Sequence, residues 1–450
     1  MNGKLRYLFL IMILFFSLGS YSQASKEAVS YKVKKKDTIF SIAKKNGLTV
    51  VELMDANPVM KQEGYELKKG DTIFIPVKGK EAHVKTGTST SQKAGSTQSS
   101  VIRIGVMLPL HNVDGDGRRM TEYYRGLLLA CDSLRRAGIS TDIHAWNVDA
   151  DADISVTLRD PAAAKCQIIF GPLYSTQVRA LAEFCKARDI KLVIPFSISG
   201  DDVSRYQQIF QVYESPDQLN NDAIDAFLKR FEGYHTVLID CNDATSKKGI
   251  FTFALRNRLT NVGRKYSITN LQNSEEQFQK AFSTTQPNVV VLNTGRAPEL
   301  AVAVQKLRSL IALHPTTKVA LFGYTEWFLY IRQRLDDFFA LDTYIPANFY
   351  YNSLDPRTQQ LEKAYRQWFH KDMLYAFPRF ALTGYDHGQY FLRGFHTQGK
   401  NFRGLAGQSD YKPLQTPLIF RQVGSKGGMQ NMYFHLIHYT HGQSIEALAY

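Results

Sequence analysis

The sequence predicts an α/β protein in two parts, a small strand–helix–helix–strand module followed by a two-lobed domain of doubly wound parallel sheets. Three observations predict it. From Val101 onward, short β-branched runs alternate with longer amphipathic stretches, which is the pattern of repeated βαβ units. Ahead of them, residues 31–77 carry two short strand patterns enclosing two short helical ones. Between the two parts, residues 78–100 hold nine Ser or Thr, three Gly and four Lys, with only Ala82, Val84 and Ala94 apolar. Such a stretch cannot bury enough surface to offset its ordering entropy, so it predicts a disordered linker. Its root-mean-square span as a flexible chain is roughly 25–30 Å.

Length and composition set the outer limits. A chain of 450 residues with 44% apolar residues suggests two or three domains and excludes wholesale disorder. No run of 18 or more apolar residues occurs, which excludes a multi-span membrane protein. Residues 25–100 hold 14 Lys and 8 acidic residues, whereas residues 101–450 hold 39 basic and 33 acidic residues. Basic density is therefore concentrated at the N-terminal end. Acidic lipids, the carboxylates of wall peptides and nucleic acid all match that sign. No nucleic-acid motif is present, and no nucleic-acid partner is expected.

Residues 1–24 read as a secretory signal. Lys4 and Arg6 precede the apolar run Leu8–Phe16, which continues to Leu18 after one Ser, and Ser22-Gln23-Ala24 fits cleavage after Ala24. The apolar stretch covers only about half of a ~30 Å hydrocarbon core, so no integral span is expected once the signal is removed. The absence of a nearby Cys argues against a lipoprotein. Export permits disulfides. Cys131, Cys166, Cys185 and Cys241 have no metal-type spacing and sit in apolar surroundings, which leaves buried thiols or a single disulfide as the alternatives.

In the small module, Tyr31-Lys32-Val33 alternates as a strand, and Asp37-Thr38 can cap a helix with Ile39, Ile42 and Ala43 on one face. Asn46-Gly47 stops it. Thr49 opens a second helix with Val50, Leu53 and Met54 inward, and Asn57-Pro58 ends that one. Gly70-Asp71 turns into the strand Thr72–Pro76. In this order, Tyr31–Val33, Asp37–Ala43, Leu53, Asn57-Pro58, Leu67–Asp71 and Ile73–Pro76 resemble a LysM domain over about 47 residues. The resemblance implies a βααβ fold that binds N-acetylglucosamine-containing glycans, chiefly peptidoglycan or chitin. It places the groove between Asp37, Thr38, Ile39 and Phe40 on one loop and Asn57, Pro58 and Val59, toward Leu67, on the other. Lys36 stands where the family usually has Gly, which allows close ligand approach, so the groove is expected to be narrowed or reshaped. Loop backbone at a helix start can meet the polar atoms of an N-acetyl group, and Ile39 or Val59 its methyl.

In the large domain the predicted strands are Val101–Pro109, Ile143–Val148, Gln167–Pro172, Lys191–Pro195, Thr236–Asp240, Asn288–Leu292 and Lys318–Phe322. Helical spacing of Met120, Tyr124, Leu127, Cys131 and Leu134, and of Val178, Leu181, Ala182 and Cys185, fills the first intervals; Leu300–Leu313 fills a later one. In such sheets ligands bind beyond the carboxyl ends of the strands. Those ends carry Asp114–Gly117, read as a flexible cleft-edge loop, and the hydroxyls Ser175, Thr176, Ser197 and Ser199, which suit a carboxylate unless they only cap a helix. Ile104–Leu110, Gly126–Ala130, Ile168–Pro172 with Ser175, Pro195-Phe196-Ser197, Leu382–Asp386 and Pro417–Tyr439 are together similar to type I periplasmic solute-binding proteins of the leucine/isoleucine/valine-binding sort. The resemblance implies that a ligand carboxylate meets Ser175, Thr176, Ser197 and Ser199. It does not establish transport.

Other constellations carry less. Asp149, Asp151, Asp153 and Asp160 mimic a calcium loop but have Ile154 at the required Gly. His435, His438 and His441 fall on alternating faces of a strand. No GxSxG, HExxH or P-loop motif is present. No cofactor, metal site or catalytic residue is expected. The expected protein is a non-catalytic, exported peptidoglycan-binding protein of the periplasm or cell envelope. Its large domain would sense a small amino-acid-like ligand or regulate wall synthesis through a partner protein. The alternative is the substrate-binding component of an amino-acid or peptide ABC importer.

Overall fold

The structure, a computed structural model, describes residues 28–34, 37, 39–46, 48, 50–61, 67–76, 101–196 and 198–450. The expected signal at 1–24 and linker at 78–100 lie outside the described residues. The chain divides into two compact units, residues 1–95 and 96–450.

The first unit has the order β1 (Ala28–Lys32), α1 (Ile39–Lys45), α2 (Val50–Asp55), a 3-10 turn (Pro58–Lys61) and β2 (Thr72–Pro76). β1 and β2 pair antiparallel with Tyr31 opposite Ile73. β1 starts three residues ahead of the predicted strand. Val29 and Ser30 are exposed, so no inward–outward alternation marks them, yet they pair with Ile75 and Phe74. The core is Val33, Ile42, Ala43, Leu48, Leu53, Met54, Met60, Ile73 and Ile75.

The second unit contains two seven-stranded sheets, hence two lobes. In lobe I the strands are β3 (Ile102–Leu108), β4 (Thr141–Asn147), β5 (Ile168–Phe170), β6 (Lys191–Ile194) and β7 (Ile209–Gln211). In lobe II they are β8 (His235–Asp240), β9 (Tyr266–Asn270), β10 (Asn288–Leu292), β11 (Val319–Phe322) and β12 (Thr343–Ala347). The parallel strands run β4-β3-β5-β6-β7 and β9-β8-β10-β11-β12, so each sheet reverses direction beside its first strand. β13 (Phe420–Gln422) and β14 (Met429–Asn431) extend the first sheet; β15 (His435–Tyr439) and β16 (Ile445–Ala449) extend the second. The chain passes between lobes after β7, after β12 and between β14 and β15.

The long helices are α3 (Gly115–Arg136), α4 (Ser175–Arg188), α5 (Pro216–Arg230), α6 (Lys248–Asn261), α7 (Ala297–Leu313), α8 (Ile331–Ala340), α9 (Pro356–Phe369) and α10 (Phe380–Gln398). α3 and α10 cross closely on one face of lobe I. A Cβ on Gly126 would lie 1.9 Å from the Ala381 carbonyl oxygen, and one on Gly384 would lie 1.9 Å from that of Tyr123. Beneath them, Phe391 packs edge-on against Phe170 and Phe210 at 6.1 and 5.4 Å. The other face is covered by Val178, Leu181, Ala182 and Cys185 of α4. In lobe II, Phe227 of α5 and Phe231 at its C-terminal cap meet Phe322 of β11 at 5.1 and 6.1 Å.

Two expectations change here. Asp114–Gly117 is not a loop but the start of α3: the Asp114 carboxylate accepts from the Gly117 N–H at 2.7 Å and caps the helix. All four cysteines are free and buried, so the disulfide alternative falls. Burial pushes the Cys166 and Cys241 thiols up to about 12 and Cys185 upward, which leaves them inert.

Candidate functional site

The two loops expected to form a glycan groove are built differently. Asp37 Oδ2 accepts from the Tyr31 hydroxyl and the Lys34 N–H, both at 2.8 Å. The Lys34 amide, and then Tyr31, hold its carboxyl below the usual range. The turn from β1 into α1 is thereby pinned. Ile39, the first helical residue, is half-buried; Phe40 follows it in α1, and Thr38 lies outside the described residues.

On the second loop, the Asn57 side chain is turned into the fold. It is buried, its Nδ2 donates to Leu53 O (2.7 Å) and Phe74 O (2.6 Å), and its Oδ1 accepts from Phe74 N (2.6 Å). The side chain therefore clamps the end of α2 to β2. Met60 is buried and its N–H donates to Asn57 O at 2.9 Å. Between these two anchors, Pro58 and Val59 are presented outward, Val59 at 57% exposure. The result is a rigid apolar step beside loop backbone, which suits the methyl and ring faces of an N-acetylated sugar.

In the large domain, the carboxyl ends of β3 and β5 flank the first topological switch. His111 Nε2 lies 3.1 Å from Asp149 Oδ1. The Val113 N–H donates to His111 Nδ1 (3.3 Å). Gly117 has no side chain because the His111 ring occupies the space: a Cβ would lie 2.2 Å from Nδ1. Tyr174 OH donates to Asp116 at 3.2 Å, and Arg119 pairs with the same carboxylate.

Ser175 and Thr176 are the exposed first residues of α4, whose N-cap, Tyr174, makes no side-chain cap. The Ser199 N–H donates to Ser175 Oγ at 2.9 Å, so Ser175 and Ser199 are brought together. Ser197 lies outside the described residues. An uncapped helix N-terminus beside two hydroxyls can receive an anion.

The corresponding rim of lobe II was not singled out by sequence reasoning. Asp243 accepts from Thr245 OH (2.6 Å) and Thr294 OH (2.7 Å) and lies 3.5 Å from Arg296; Thr245, then Thr294, hold its carboxyl down near about 2. Lys248 Nζ pairs with Glu326 Oε1 at 2.6 Å and sits 4.7 Å from the Tyr324 ring centroid. Each of these carboxylates, like Asp114, Asp116 and Asp149, already has a cation or donor. The one signal available in sequence was position, since Asp243, Lys248, Thr294 and Glu326 all follow a strand terminus.

The remaining acidic and histidine candidates are structural. Asp153 and Asp160 cap short helices through Ser155 N (2.9 Å) and Ala162 N (2.8 Å). His435 bonds Phe349 O at 3.2 Å, and His438 bonds Asp342 at 2.8 Å while stacking on Tyr344.

The LysM domain family model matches residues 31–76. Residues 31–76 are a LysM domain. A curated relative, the endolysin of Bacillus phage PZA, is 34% identical over 89 residues. That match covers 20% of this chain and 34% of the endolysin, so the chain spans about a third of that relative's length. Beyond the LysM domain, the similarity is to solved structures. A provisionally assigned branched-chain amino acid ABC transporter from Rhodospirillum rubrum is similar over 78% of this chain and 100% of its own, at 15% identity and a TM-score of 0.55. An ABC transporter substrate-binding protein from Desulfitobacterium hafniense in complex with Leu shares 16% identity over 78% of this chain and 100% of its own, with a TM-score of 0.47. The two mostly parallel sheets and the Rhodospirillum likeness give residues 101–450 the type I periplasmic-binding-protein fold. Among the described residues, no helix is long and apolar enough to cross a membrane.

Proposed function

We propose that the protein is a non-catalytic, exported envelope protein whose LysM domain holds peptidoglycan and whose large domain senses a small ligand or regulates wall synthesis through a partner protein. The observation that carries the proposal is the LysM match at residues 31–76, on a βααβ unit that presents Pro58 and Val59 between buried anchors. The expected linker at 78–100 would tether the large domain near the glycan. Calorimetric titration of the full chain with N-acetylglucosamine oligomers tests the reading. Saturable binding that Val59→Ser weakens supports it; the absence of binding to folded protein overturns it.

A second reading, the substrate-binding component of an amino-acid or peptide importer, is favoured by the fold and by the Ser175–Ser199 pair. The rim charges weigh against it. An amino-acid ammonium needs an acidic partner, and on the lobe II rim Glu326 is already paired with Lys248 and Asp243 with Arg296. Thermal unfolding in the presence of free amino acids and short peptides separates the two. A saturable rise in Tm with any of them favours the importer; no shift, with a wall protein co-purifying, favours the regulator.

A further inference from the structure

A pocket of about 290 Å³ lies in the large domain apart from the Ser175 rim. Its walls come from four places, one of them Tyr439 and Ile445 of β15 and β16. Phe328 and Arg332 follow β11 in lobe II, Phe349–Leu354 form the passage after β12, and Tyr375–Arg379 lead into α10. The pocket therefore sits where the chain changes lobes.

Its chemistry is one-sided. Half of the lining residues are aromatic, and among the described residues the charged lining groups, Arg332 and Arg379, are both cations. They share one ring: the Tyr375 centroid is 5.0 Å from the Arg332 guanidinium and 5.9 Å from that of Arg379, which also lies 5.0 Å from Tyr351. Arg379 is 9% exposed. Its Nη1 donates to Leu374 O at 3.1 Å, its Nη2 reaches Glu362 only at 3.5 Å, and its Nε has no partner. The Glu362 oxygen concerned also accepts from Tyr351 OH at 2.6 Å. A buried guanidinium with an unmet donor is costly, and a ring stack supplies only part of what its hydration would. Glu362, outside the lining, pairs with Nη2 at 3.5 Å but leaves Nε unmet, and Arg332 has no carboxylate beside it in the lining. A second anion, placed in the pocket, answers that remaining donor, and the aromatic walls call for a ring attached to it. A volume at the lower edge of the ~300–1,000 Å³ range of small-molecule sites excludes a glycan chain or a folded peptide.

We infer that this pocket binds a small monocarboxylate bearing a flat apolar ring, an aryl or arylalkyl carboxylate, with its carboxylate toward Arg332 and Arg379. Such a ligand touches both lobes and the passage between them, so its binding is coupled to their relative position. The glycan reading stands separately, because its site is in the other unit.

Calorimetry on the full chain tests the inference with phenylacetate as the probe, phenylacetamide as its uncharged counterpart, and thermal unfolding as the check that each variant is folded. Phenylacetate is expected to bind in the millimolar range or tighter, and phenylacetamide at least about tenfold more weakly. Arg379→Lys retains the charge but loses the planar fork, and Arg332→Gln alters an exposed side chain that the fold does not need. Each is expected to weaken phenylacetate about tenfold. Equal affinity for acid and amide, no saturable heat with folded protein, or undiminished binding to folded Arg332→Gln overturns the inference.

Discussion

Asn57 and Val59 are two residues apart and answer to different physics. Asn57→Ala removes three hydrogen bonds that join α2 to β2 and leaves the Phe74 backbone without its partners. A loss of about 2–3 kcal/mol is expected for the first unit, read by hydrogen exchange on the full chain, and glycan binding should go with it. Val59→Ser removes only an exposed methyl step, so binding should fall while stability stays within about 0.5 kcal/mol. If both variants lose binding and stability together, Val59 is not a contact. The sequence could name the Asn-Pro loop but could not divide it. A clamp and a contact draw on the same residue types, and only the position of Phe74 across the sheet distinguishes them.

Glu214, in the first passage between lobes, supplies a pH test. Burial, and then the neighbouring Asp222, pushes its carboxyl up to about 8. A pKa raised in the folded state means that folding binds a proton the unfolded chain has released. That contribution is fully present below the unfolded value of about 4.3 and is lost as pH rises through about 8. Glu214→Gln removes the titration. The Tm advantage of the variant over the parent should widen between about pH 5 and about pH 8.5. A gap that does not change over that range contradicts the assignment.

At the scale of elements, the crossing of α3 and α10 depends on small residues at matching four-residue spacing, Gly126 and Ala130 on one helix, Gly384 and Gly388 on the other. Gly384→Ala would drive a Cβ into the Tyr123 carbonyl at 1.9 Å. It should cost about 3 kcal/mol or more in urea unfolding of the large domain. Gly138, past the end of α3, has φ +84° and open space around it, so Gly138→Ala should cost only about 1 kcal/mol of backbone strain. Equal costs would mean that the crossing can relax. The body of α3 was legible because Met120, Leu127 and Leu134 recur at helical spacing. Its first turn was not, since Asp-Gly-Asp-Gly has the composition of a turn and becomes helical only because Asp114 caps it and His111 packs over Gly117. α10 was seen only as a short motif. It is buried on nearly every face from Phe380 to Phe395, so it shows no polar stripe to set its period.

At the scale of the molecule, the parallel strands β3, β5, β6, β8, β10 and β11 were readable as apolar β-branched runs, because each is covered on both faces. β13 to β16 were not resolved individually, and nothing local says that β14 joins one sheet and β15 the other. The LysM domain was legible nearly residue by residue, whereas the aromatic pocket was not, because its walls come from four separate segments spread between Phe328 and Ile445. The central claim concerns what the smaller unit does for the whole chain. Co-sedimentation with purified peptidoglycan, comparing the full chain with a chain lacking residues 28–76, tests it most directly. The account predicts that the full chain pellets with the glycan and the shortened chain stays in solution; equal retention of the two would contradict it.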